Sequence, residues 1–534
     1  MSATLFTGGV IWTGSEQTDA LLVVDGVVAA IGDDARRHHA DTVDLAGGFL
    51  MPSFGDGHAH PLYGGLEAVG PAVRQATTVD EIVLAVKQFA DENPDEEWIV
   101  GASYDGSLAE GGLFDARWLD AAVPDRPVVL RAWDYHTVWC NSAALERAGI
   151  TPETPDPALG EIPHREDGSV LGTLREWGAV DLVMNVMPPR DEQQRIDALG
   201  TAADYYLARG VTWVQDAWVE PADVATYVEA ARRDALRMRF NLALYADPRH
   251  FDSQVTQFAD QRRQVEQAGN PLLTAQTVKF FADGVVENET GALLQPYCTG
   301  LHEHTGMRNW EGDSLAEAAR RVDELGFQIH IHAIGDAAVR QALDAIEYVV
   351  KQNPARDRRP VIAHCQLIDD DDLARFAALG VIPNMQPLWA QLDALMTVLT
   401  IPRLGQERAD RQYPINTLDT SGAPLSFGSD WPVSSGAPLD GIAVATSRRT
   451  REGTPEEGWT PHEVLPIERA LTAYTSGVAN QAFAEHVWGA LTPGSSADMV
   501  WLQHDPRTTS PLDLPAVGVR TTYLRGVPMY QARD

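Results

Sequence analysis

The chain has 534 residues, with 76 acidic against 41 basic side chains and a formal net charge of −35. This acidity disfavours nucleic acids and anionic membrane surfaces as partners, since both carry negative charge. No apolar run reaches the length that crosses a membrane, and the chain is long enough for two or more folding units. The composition therefore fits an enzyme with an acidic, well-solvated surface and a small-molecule substrate.

The cysteines, Cys140, Cys298 and Cys365, are odd in number and lack the paired spacing of a thiolate zinc site. Such usage indicates free thiols in a reducing compartment rather than a disulfide framework. The N-terminal residues contain no basic segment followed by an apolar core, so no signal peptide is predicted. These features predict a cytoplasmic protein. The sequence is compatible with a homodimer but does not determine the oligomeric state.

Both ends of the chain have the pattern of short β-strands. Residues 1–50 contain apolar runs separated by Gly8-Gly9 and Asp25-Gly26, and Asp-Gly between two such runs is typical of a hairpin. Residues 485–534 have a similar pattern, with a turn at Gly526. We predict one small β-sandwich domain assembled from both termini, 1–50 and 485–534.

The long middle of the chain alternates apolar, strand-like runs with helical patterns. The apolar run 49–54 leads into the first strand, and seven further strands are predicted at 211–216, 238–244, 276–283, 327–332, 361–364, 381–384 and 425–430. Helical spacing of apolar residues lies between them, for example at 314–325, 337–351 and 369–379. Eight strands alternating with helices predict an α/β fold, a (β/α)8 TIM barrel built from residues 51–64 and 196–484.

About 150 residues separate the first two barrel strands, far more than an ordinary connection between a strand and a helix requires. This segment has strands and helices of its own. We predict that residues 65–195 form an inserted subdomain that caps the mouth of the barrel. An independent domain remote from the mouth is the alternative.

Side chains that bind metals stand at the ends of the predicted strands. His58 and His60 are two residues apart, so they point to the same side of an extended strand and can bind one metal ion. Solvent-exposed histidines are the alternative for so short a motif. Four further side chains lie at or near the ends of later strands: Lys279, His332, His364 and Asp430. A barrel brings such strand ends to one mouth, so we expect these residues to converge.

Five motifs, in this order along the chain, resemble the amidohydrolase superfamily, and in particular its amidohydrolase-3 branch, which includes N-substituted formamide deformylases. They are DGHAH at 56–60, VKFFADG at 278–284, HIHAIGD at 330–336, AHCQ at 363–366 and FGSDWPV at 427–433. Further similar segments lie at 133–142, 172–176 and 489–498. The resemblance spans nearly the whole chain.

This resemblance implies a metal-dependent hydrolase of carbon–nitrogen bonds with two divalent ions, of which zinc is the usual one. The implied ligands are His58 and His60 for one ion and His332 and His364 for the other. Lys279 would carry a carbamate, derived from carbon dioxide, that bridges both ions. A cationic lysine would be repelled by two dications, so metal binding requires this modification or a neutral amine. The alternative for Lys279 is a structural ion pair, for example with Asp283.

The resemblance also implies that Asp430 is the general base and acid in an attack by metal-activated hydroxide. A helix cap before Pro432 is the alternative for Asp430. Asp56 would orient a histidine or touch a metal. His330 alternates with His332 along the strand and is expected behind the ligands or in the core.

Six side chains are predicted to contact substrate: Asp134, His136, Trp139, Trp218, Trp389 and Trp431. Packing in a hydrophobic core is the alternative for the tryptophans. The expected substrate is an amide such as an N-substituted formamide or an N-acyl compound, with esters, lactones and cyclic amides as alternatives. A deaminase is disfavoured because His332 is followed by Ala333-Ile334-Gly335 and not by the His-x-x-Glu element of those enzymes. A non-catalytic scaffold barrel is disfavoured because every key residue is present.

Overall fold

The structure, a computed structural model, describes residues 3–299 and 303–533. The chain begins with short strands and one short helix: β1 (Ala3–Thr7), β2 (Val10–Trp12), β3 (Gln17–Thr18), β4 (Leu21–Val24), β5 (Val27–Ile31), α1 (Gly32–Arg36), β6 (Asp41–Asp44) and β7 (Phe49–Pro52). Four of these strands form one sheet in the order β5-β4-β1-β6.

The barrel starts with β8 (Phe54–Ala59) and α2 (Pro61–Glu67), after which the inserted segment begins. It contains α3 (Val79–Glu92), β9 (Ile99–Tyr104), α4 (Ala116–Asp120), β10 (Val128–Ala132), β11 (Thr137–Cys140), α5 (Ser142–Arg147), β12 (Thr173–Arg175) and α6 (Glu176–Met184). Its strands form a separate sheet in the order β12-β11-β10-β9. Two hydrophobic clusters of its own pack around this sheet.

The remaining barrel elements are α7 (Glu192–Leu207), β13 (Val211–Val219), α8 (Pro221–Arg232), β14 (Arg239–Tyr245), α9 (Phe251–Ala268), β15 (Leu273–Phe281), α10 (Ser314–Glu324), β16 (Gln328–Ala333), α11 (Asp336–Gln352), β17 (Val361–His364), α12 (Asp370–Leu379), β18 (Ile382–Met385), α13 (Ile401–Leu404), α14 (Gln406–Ala409), α15 (Ile415–Thr420), β19 (Ser426–Phe427), α16 (Pro438–Ala445), α17 (Ile467–Tyr474) and α18 (Ser476–Gln481). Helices and strands alternate from α7 to β18, and three short helices precede the last strand.

Eight of these strands make one parallel sheet in the order β8-β13-β14-β15-β16-β17-β18-β19. The first and last strands come together where the backbone N–H of Asp430 donates to the carbonyl of His58 at 2.7 Å. The sheet is therefore a nearly closed barrel, in agreement with the predicted fold class. Large apolar side chains between the strands and the surrounding helices form its main hydrophobic core.

Local signals fix several helix boundaries. Asp191 caps α7 through a reciprocal pair of hydrogen bonds with Gln194. Gly269 and Gly380 follow α9 and α12 in the left-handed conformation that glycine adopts without steric cost. Within residues 3–299 and 303–533, no helix is long and apolar enough to cross a membrane.

The last strands are β20 (Met499–Leu502), β21 (Val519–Leu524) and β22 (Val527–Gln531). They pair with N-terminal strands in a six-stranded sheet of order β22-β21-β20-β7-β2-β3. Both terminal sheets contribute to one hydrophobic cluster, for example through Phe6, Leu21, Leu50 and Met499. The two ends of the chain thus share a sheet and a core.

The first barrel strand differs from the prediction. The apolar run from Phe49 into His58 is divided at Ser53, whose N–H donates to the carbonyl of Asp498 at 3.0 Å, whereas Phe54 donates to Gly210 in the barrel at 2.9 Å. Met51 and Pro52 therefore belong to the terminal sheet and not to the barrel. The last strand is also shorter than the predicted 425–430, since β19 ends at Phe427.

Candidate metal centre and active-site cavity

The metal-ligand residues predicted from the strand ends all lie at one end of the barrel. His58 lies in β8, Lys279 in β15, His332 in β16 and His364 at the end of β17, while His60 and Asp430 follow β8 and β19. Because all eight strands run parallel, these positions share the carboxyl-terminal mouth. Their side chains are buried.

The carboxylate of Asp430 is the point where the first-strand histidines meet. Nε2 of His60 lies 2.9 Å and Nε2 of His58 lies 3.4 Å from Oδ1 of Asp430. Even so, Oδ1 is a buried oxygen without a well-aligned hydrogen bond among the described residues. Ligand atoms of His58, His364 and Asp430 all lie within 4.8 Å of one another. Imidazole nitrogens and a carboxylate oxygen that converge in this way fit a divalent cation, so the residues present suit a metal ion.

Hydrogen bonds behind two of the histidines determine which ring nitrogen faces the site. Nδ1 of His364 lies 2.8 Å from Oε1 of Gln386, whose amide nitrogen donates to Asn384. Nδ1 of His364 must then be the donor, which leaves the lone pair on Nε2. Nε2 of His332 lies 3.0 Å from the carbonyl oxygen of Gly284, so His332 presents its lone pair on Nδ1.

His330 supports the site from behind, because its Nε2 lies 2.8 Å from Nδ1 of His58. Asp56 does not face the converging ligands. Its oxygens accept hydrogen bonds from the backbone N–H groups of His58 at 3.2 Å and Ser429 at 2.9 Å, from the Ser429 hydroxyl, and from the Tyr206 hydroxyl at 3.1 Å. Asp56 therefore ties the end of the first strand to the segment that carries Asp430.

Burial sets the charge state of these groups. It lowers the pKa values of His58 and His332 well below the ordinary histidine value, and that of His364 to about 3. Neutral imidazoles are the form that binds metals. Burial alone would raise the pKa of Asp430, but the adjacent His58 and His60 imidazoles hold it well below its usual range. The centre thus combines neutral nitrogen ligands with an ionised carboxylate.

Lys279 is fully buried among these groups. Its Nζ lies 3.3 Å from Nε2 of His58, and burial lowers its pKa to about 7. Among the described residues, no carboxylate forms an ion pair with it. Asp283 instead accepts three backbone hydrogen bonds of 2.8–3.0 Å from residues 292, 334 and 335. The structure therefore does not contain the alternative Lys279–Asp283 ion pair.

A cavity of about 930 Å³ opens above the centre. Its lining includes five of the six predicted substrate contacts: Asp134, His136, Trp218, Trp389 and Trp431. The indole of Trp389 stacks on the imidazole of His364, with 5.3 Å between the ring centroids and an interplanar angle of 1°. The inserted segment supplies part of the wall, since Asp134 and His136 both belong to it. An independent domain remote from the barrel mouth would not contribute such residues to the cavity wall.

Trp139 is a correction to the predicted set. It is 0% exposed in the core of the inserted segment, where it packs against Tyr104 and Phe114. Its Nε1 donates to the backbone carbonyl of Asp115 at 3.0 Å. With its polar group satisfied inside this core, Trp139 does not line the cavity, and its role is packing.

Two polar side chains beside the cavity were not predicted. Gln386 holds His364, and Glu176 places Oε2 2.8 Å from Nδ1 of His136. Burial would lower the pKa of His136, but the carboxylates around it, that of Glu176 foremost, outweigh this effect and the net pKa is raised. Glu176 ends the 172–176 segment that resembles the amidohydrolases, which is the one sequence signal that could have pointed to it.

A nearly closed parallel barrel whose mouth gathers neutral histidines and an ionised carboxylate defines a metal-dependent hydrolase. Comparison with known proteins agrees. The chain belongs to the amidohydrolase family, whose profile matches residues 41–530, and to its amidohydrolase-3 branch, as the sequence motifs predict. It is a hydrolase that acts on carbon–nitrogen bonds.

The similarity extends over the whole length of several proteins. The protein LONG AFTER FAR-RED 3 of Arabidopsis thaliana is 30% identical, over 98% of this chain and 91% of its own. The N-substituted formamide deformylase of Arthrobacter pascens is 26% identical, over 96% and 95%. The crystal structure of an uncharacterized metal-dependent hydrolase from Pyrococcus furiosus superimposes with a TM-score of 0.72 at 25% identity, over 95% of this chain and 100% of that one.

Proposed function

We propose that this protein hydrolyses the carbon–nitrogen bond of a small N-substituted amide, with an N-substituted formamide as the favoured substrate. The observation that carries the proposal is the convergence of buried imidazoles on the carboxylate of Asp430 at the floor of a large cavity. The name of the Arthrobacter relative supports a formamide among the amides.

The ligand set would hold two divalent ions, for which zinc is suited: His58 and His60 for one, His332 and His364 for the other, and Lys279 as a bridging carbamate. Such ions, when bound, acidify a water molecule and polarise the amide carbonyl. Lys279 suits the carbamate role because burial favours its neutral amine. That amine adds to carbon dioxide as a nitrogen–carbon bond forms and one proton leaves.

Asp430 is the proton-transfer group in this proposal. Its carboxylate is ionised and lines the cavity, so it can accept a proton from the attacking water. As the carbon–nitrogen bond breaks, Asp430 returns that proton to the nitrogen. A formamide and water thus yield an amine and formic acid, and the carboxylate is regenerated.

The charges around the cavity favour a neutral substrate over an N-acyl amino acid. Five carboxyl side chains besides Asp430 are in its lining: Glu67, Asp105, Asp134, Glu287 and Asp393. The lining contains two arginines, of which Arg74 is paired with a carboxylate. Arg74 forms two 3.0 Å hydrogen bonds with Glu67, and Arg209 stacks 3.6 Å from the centroid of the Tyr205 ring. Carboxyl side chains therefore outnumber arginines among the described lining residues, which disfavours a substrate that carries its own carboxylate.

The test is a panel of N-substituted formamides, N-acyl amino acids, cyclic amides and esters on enzyme loaded with zinc, comparing the wild type with Asp430→Asn. We expect formamide turnover that falls by about two to four orders of magnitude in the variant. Metal content should stay close to that of the wild type. The exposed Asp371→Asn change is the matched control and should have no effect.

Two results would contradict the proposal. Turnover of esters or cyclic amides with none of any formamide would assign the same centre to another substrate class. Zinc-loaded enzyme that turns over no member of the panel, or Asp430→Asn enzyme with normal kcat, would remove the proposed role of this carboxylate.

A further inference from the structure

A buried chain of hydrogen bonds reaches the cavity from the side of the inserted segment. Nδ1 of His136 lies 2.8 Å from Oε2 of Glu176, and the hydroxyl of Thr290 donates to Oε1 of the same carboxylate at 2.5 Å. His136 and Glu176 belong to the inserted segment, whereas Thr290 follows β15 of the barrel. The chain therefore joins the two parts of the protein at the cavity wall.

The carboxylate of Glu176 is held with little freedom. Its residue is 1% exposed, and its backbone N–H donates to the carbonyl of His136 at 2.8 Å. A Cβ atom added at Gly284 would lie 2.5 Å from Oε1 of Glu176 and 2.2 Å from Oγ1 of Thr290. A side chain at position 284 would therefore displace the Glu176–Thr290 hydrogen bond, and glycine leaves room for it. Glu176 also has a positive φ of 60°, which is uncommon for a residue with a side chain.

This arrangement fixes the ring of His136. A carboxylate only accepts hydrogen bonds, so Nδ1 carries a proton and Nε2 is the ring nitrogen left for other contacts. Among the described residues, no hydrogen-bond partner reaches Nε2, although His136 is only 4% exposed and lines the cavity. The ring lies 5.4 Å from that of the proposed ligand His332, centroid to centroid. An unpaired nitrogen is thus held beside the reacting centre.

We propose that Glu176 and Thr290 are positioning residues that hold His136 so that its Nε2 hydrogen-bonds the amide group of the substrate. The inference rests on the proposed function and adds a contact from the wall to the chemistry of Asp430 on the floor. A fixed group costs less entropy when the substrate binds than a mobile one, so the benefit depends on the rigidity that Glu176 supplies.

A double-mutant cycle tests this dependence. His136→Ala should lower kcat/KM for the best substrate on the order of 10²-fold, with metal content and thermal stability near those of the wild type. If Glu176 acts through His136, Glu176→Ala should cause a comparable loss, and the double variant should lose no more than His136→Ala alone. Independent structural roles would instead give losses that multiply.

Conservative variants provide the controls. Glu176→Gln keeps an oxygen that can accept from Nδ1, so it should retain more activity than Glu176→Ala. Thr290→Ser keeps the hydroxyl and should match the wild type, whereas Thr290→Val should lower kcat/KM but cause no further loss in the His136→Ala background. Added imidazole should partly restore His136→Ala and should not restore Asp430→Asn.

The proposal is overturned by multiplying losses, by wild-type kcat/KM in Glu176→Ala, or by losses that follow metal content. If Glu176→Ala does not fold, a double-mutant cycle of Thr290→Val with His136→Ala distinguishes the same two outcomes, losses that multiply and losses that do not. Failure of the proposed function has a different signature: the wild type would act on another substrate class, and the cycle would be run on that substrate.

Discussion

The carboxylate of Asp56 holds the end of the first barrel strand against the segment that carries Asp430. Its removal should therefore lower both the stability of the protein and its activity. In Asp56→Ala, the backbone N–H groups of His58 and Ser429 lose the oxygen that accepts both of them in a buried setting. A buried donor left without a partner costs about 1–3 kcal/mol, so two of them predict a loss of about 2–6 kcal/mol in the free energy of unfolding. The displaced strand ends carry His58 and Asp430, so kcat should fall on the order of 10²-fold.

The Asp56→Asn variant keeps the size and shape of the side chain but removes its negative charge. The amide oxygen can still accept both backbone groups, and its NH₂ group faces the Ser429 and Tyr206 hydroxyl oxygens, which can accept. We therefore expect an unfolding free energy within about 2 kcal/mol of the wild type. Urea unfolding of all three proteins, combined with kcat, measures both effects. Wild-type stability and kcat in Asp56→Ala would refute the reasoning.

The same residue predicts a dependence on pH. Burial raises the pKa of Asp56 from 3.8 to about 6 in the folded protein. Between these values the folded state binds the extra proton, so the contribution of Asp56 to stability is greatest at low pH and declines as pH rises toward 6. Asp56→Asn should remove this part of the pH profile, and unchanged profiles would show that another group causes it.

Three further results are expected. Trp139→Ala should destabilise the protein by about 3–5 kcal/mol in chemical unfolding but leave the substrate profile unchanged, and an altered profile would place Trp139 at the cavity after all. Lys279→Ala should lose metal and activity together in elemental and kinetic analysis, with partial recovery on adding short carboxylic acids; full metal content with normal kcat would exclude the bridge. Across neutral and carboxylate-bearing amides of equal size, kcat/KM should favour the neutral ones on the order of 10²-fold, and a preference for the anions would reverse the argument from the cavity charges.

The residues at the strand ends were predictable because their order and position carry the information. His58, His332 and His364 each stand at or near the end of a strand-like run, and the parallel strands of a barrel end at one mouth irrespective of loop conformation. The split of the first strand at Ser53 was not predictable. A continuous apolar run does not show where the backbone hydrogen bonds pass from one sheet to another.

Trp139 shows the same limit for side chains. All four residues of its strand, Thr137–Cys140, are buried, so alternation of apolar and polar residues cannot indicate which side faces the cavity. Gln386 and Glu176 were missed for a related reason. Each acts on a histidine distant in sequence, and only the tertiary fold brings the pairs to 2.8 Å.

The positions of these groups divide the site into two parts with different tolerance to change. His58, His332 and His364 lie on strands whose backbones are hydrogen-bonded to neighbours, so a shift of one ligand would disturb adjoining strands as well. Asp134 and His136 lie on the inserted segment, which has a core of its own and can change without moving the barrel. Substitutions that line the cavity from this segment should therefore alter substrate choice and leave metal content unchanged. The Glu176–Thr290 and Thr137–Asn288 hydrogen bonds are exceptions, because each joins the inserted segment to the loop that follows β15 of the barrel.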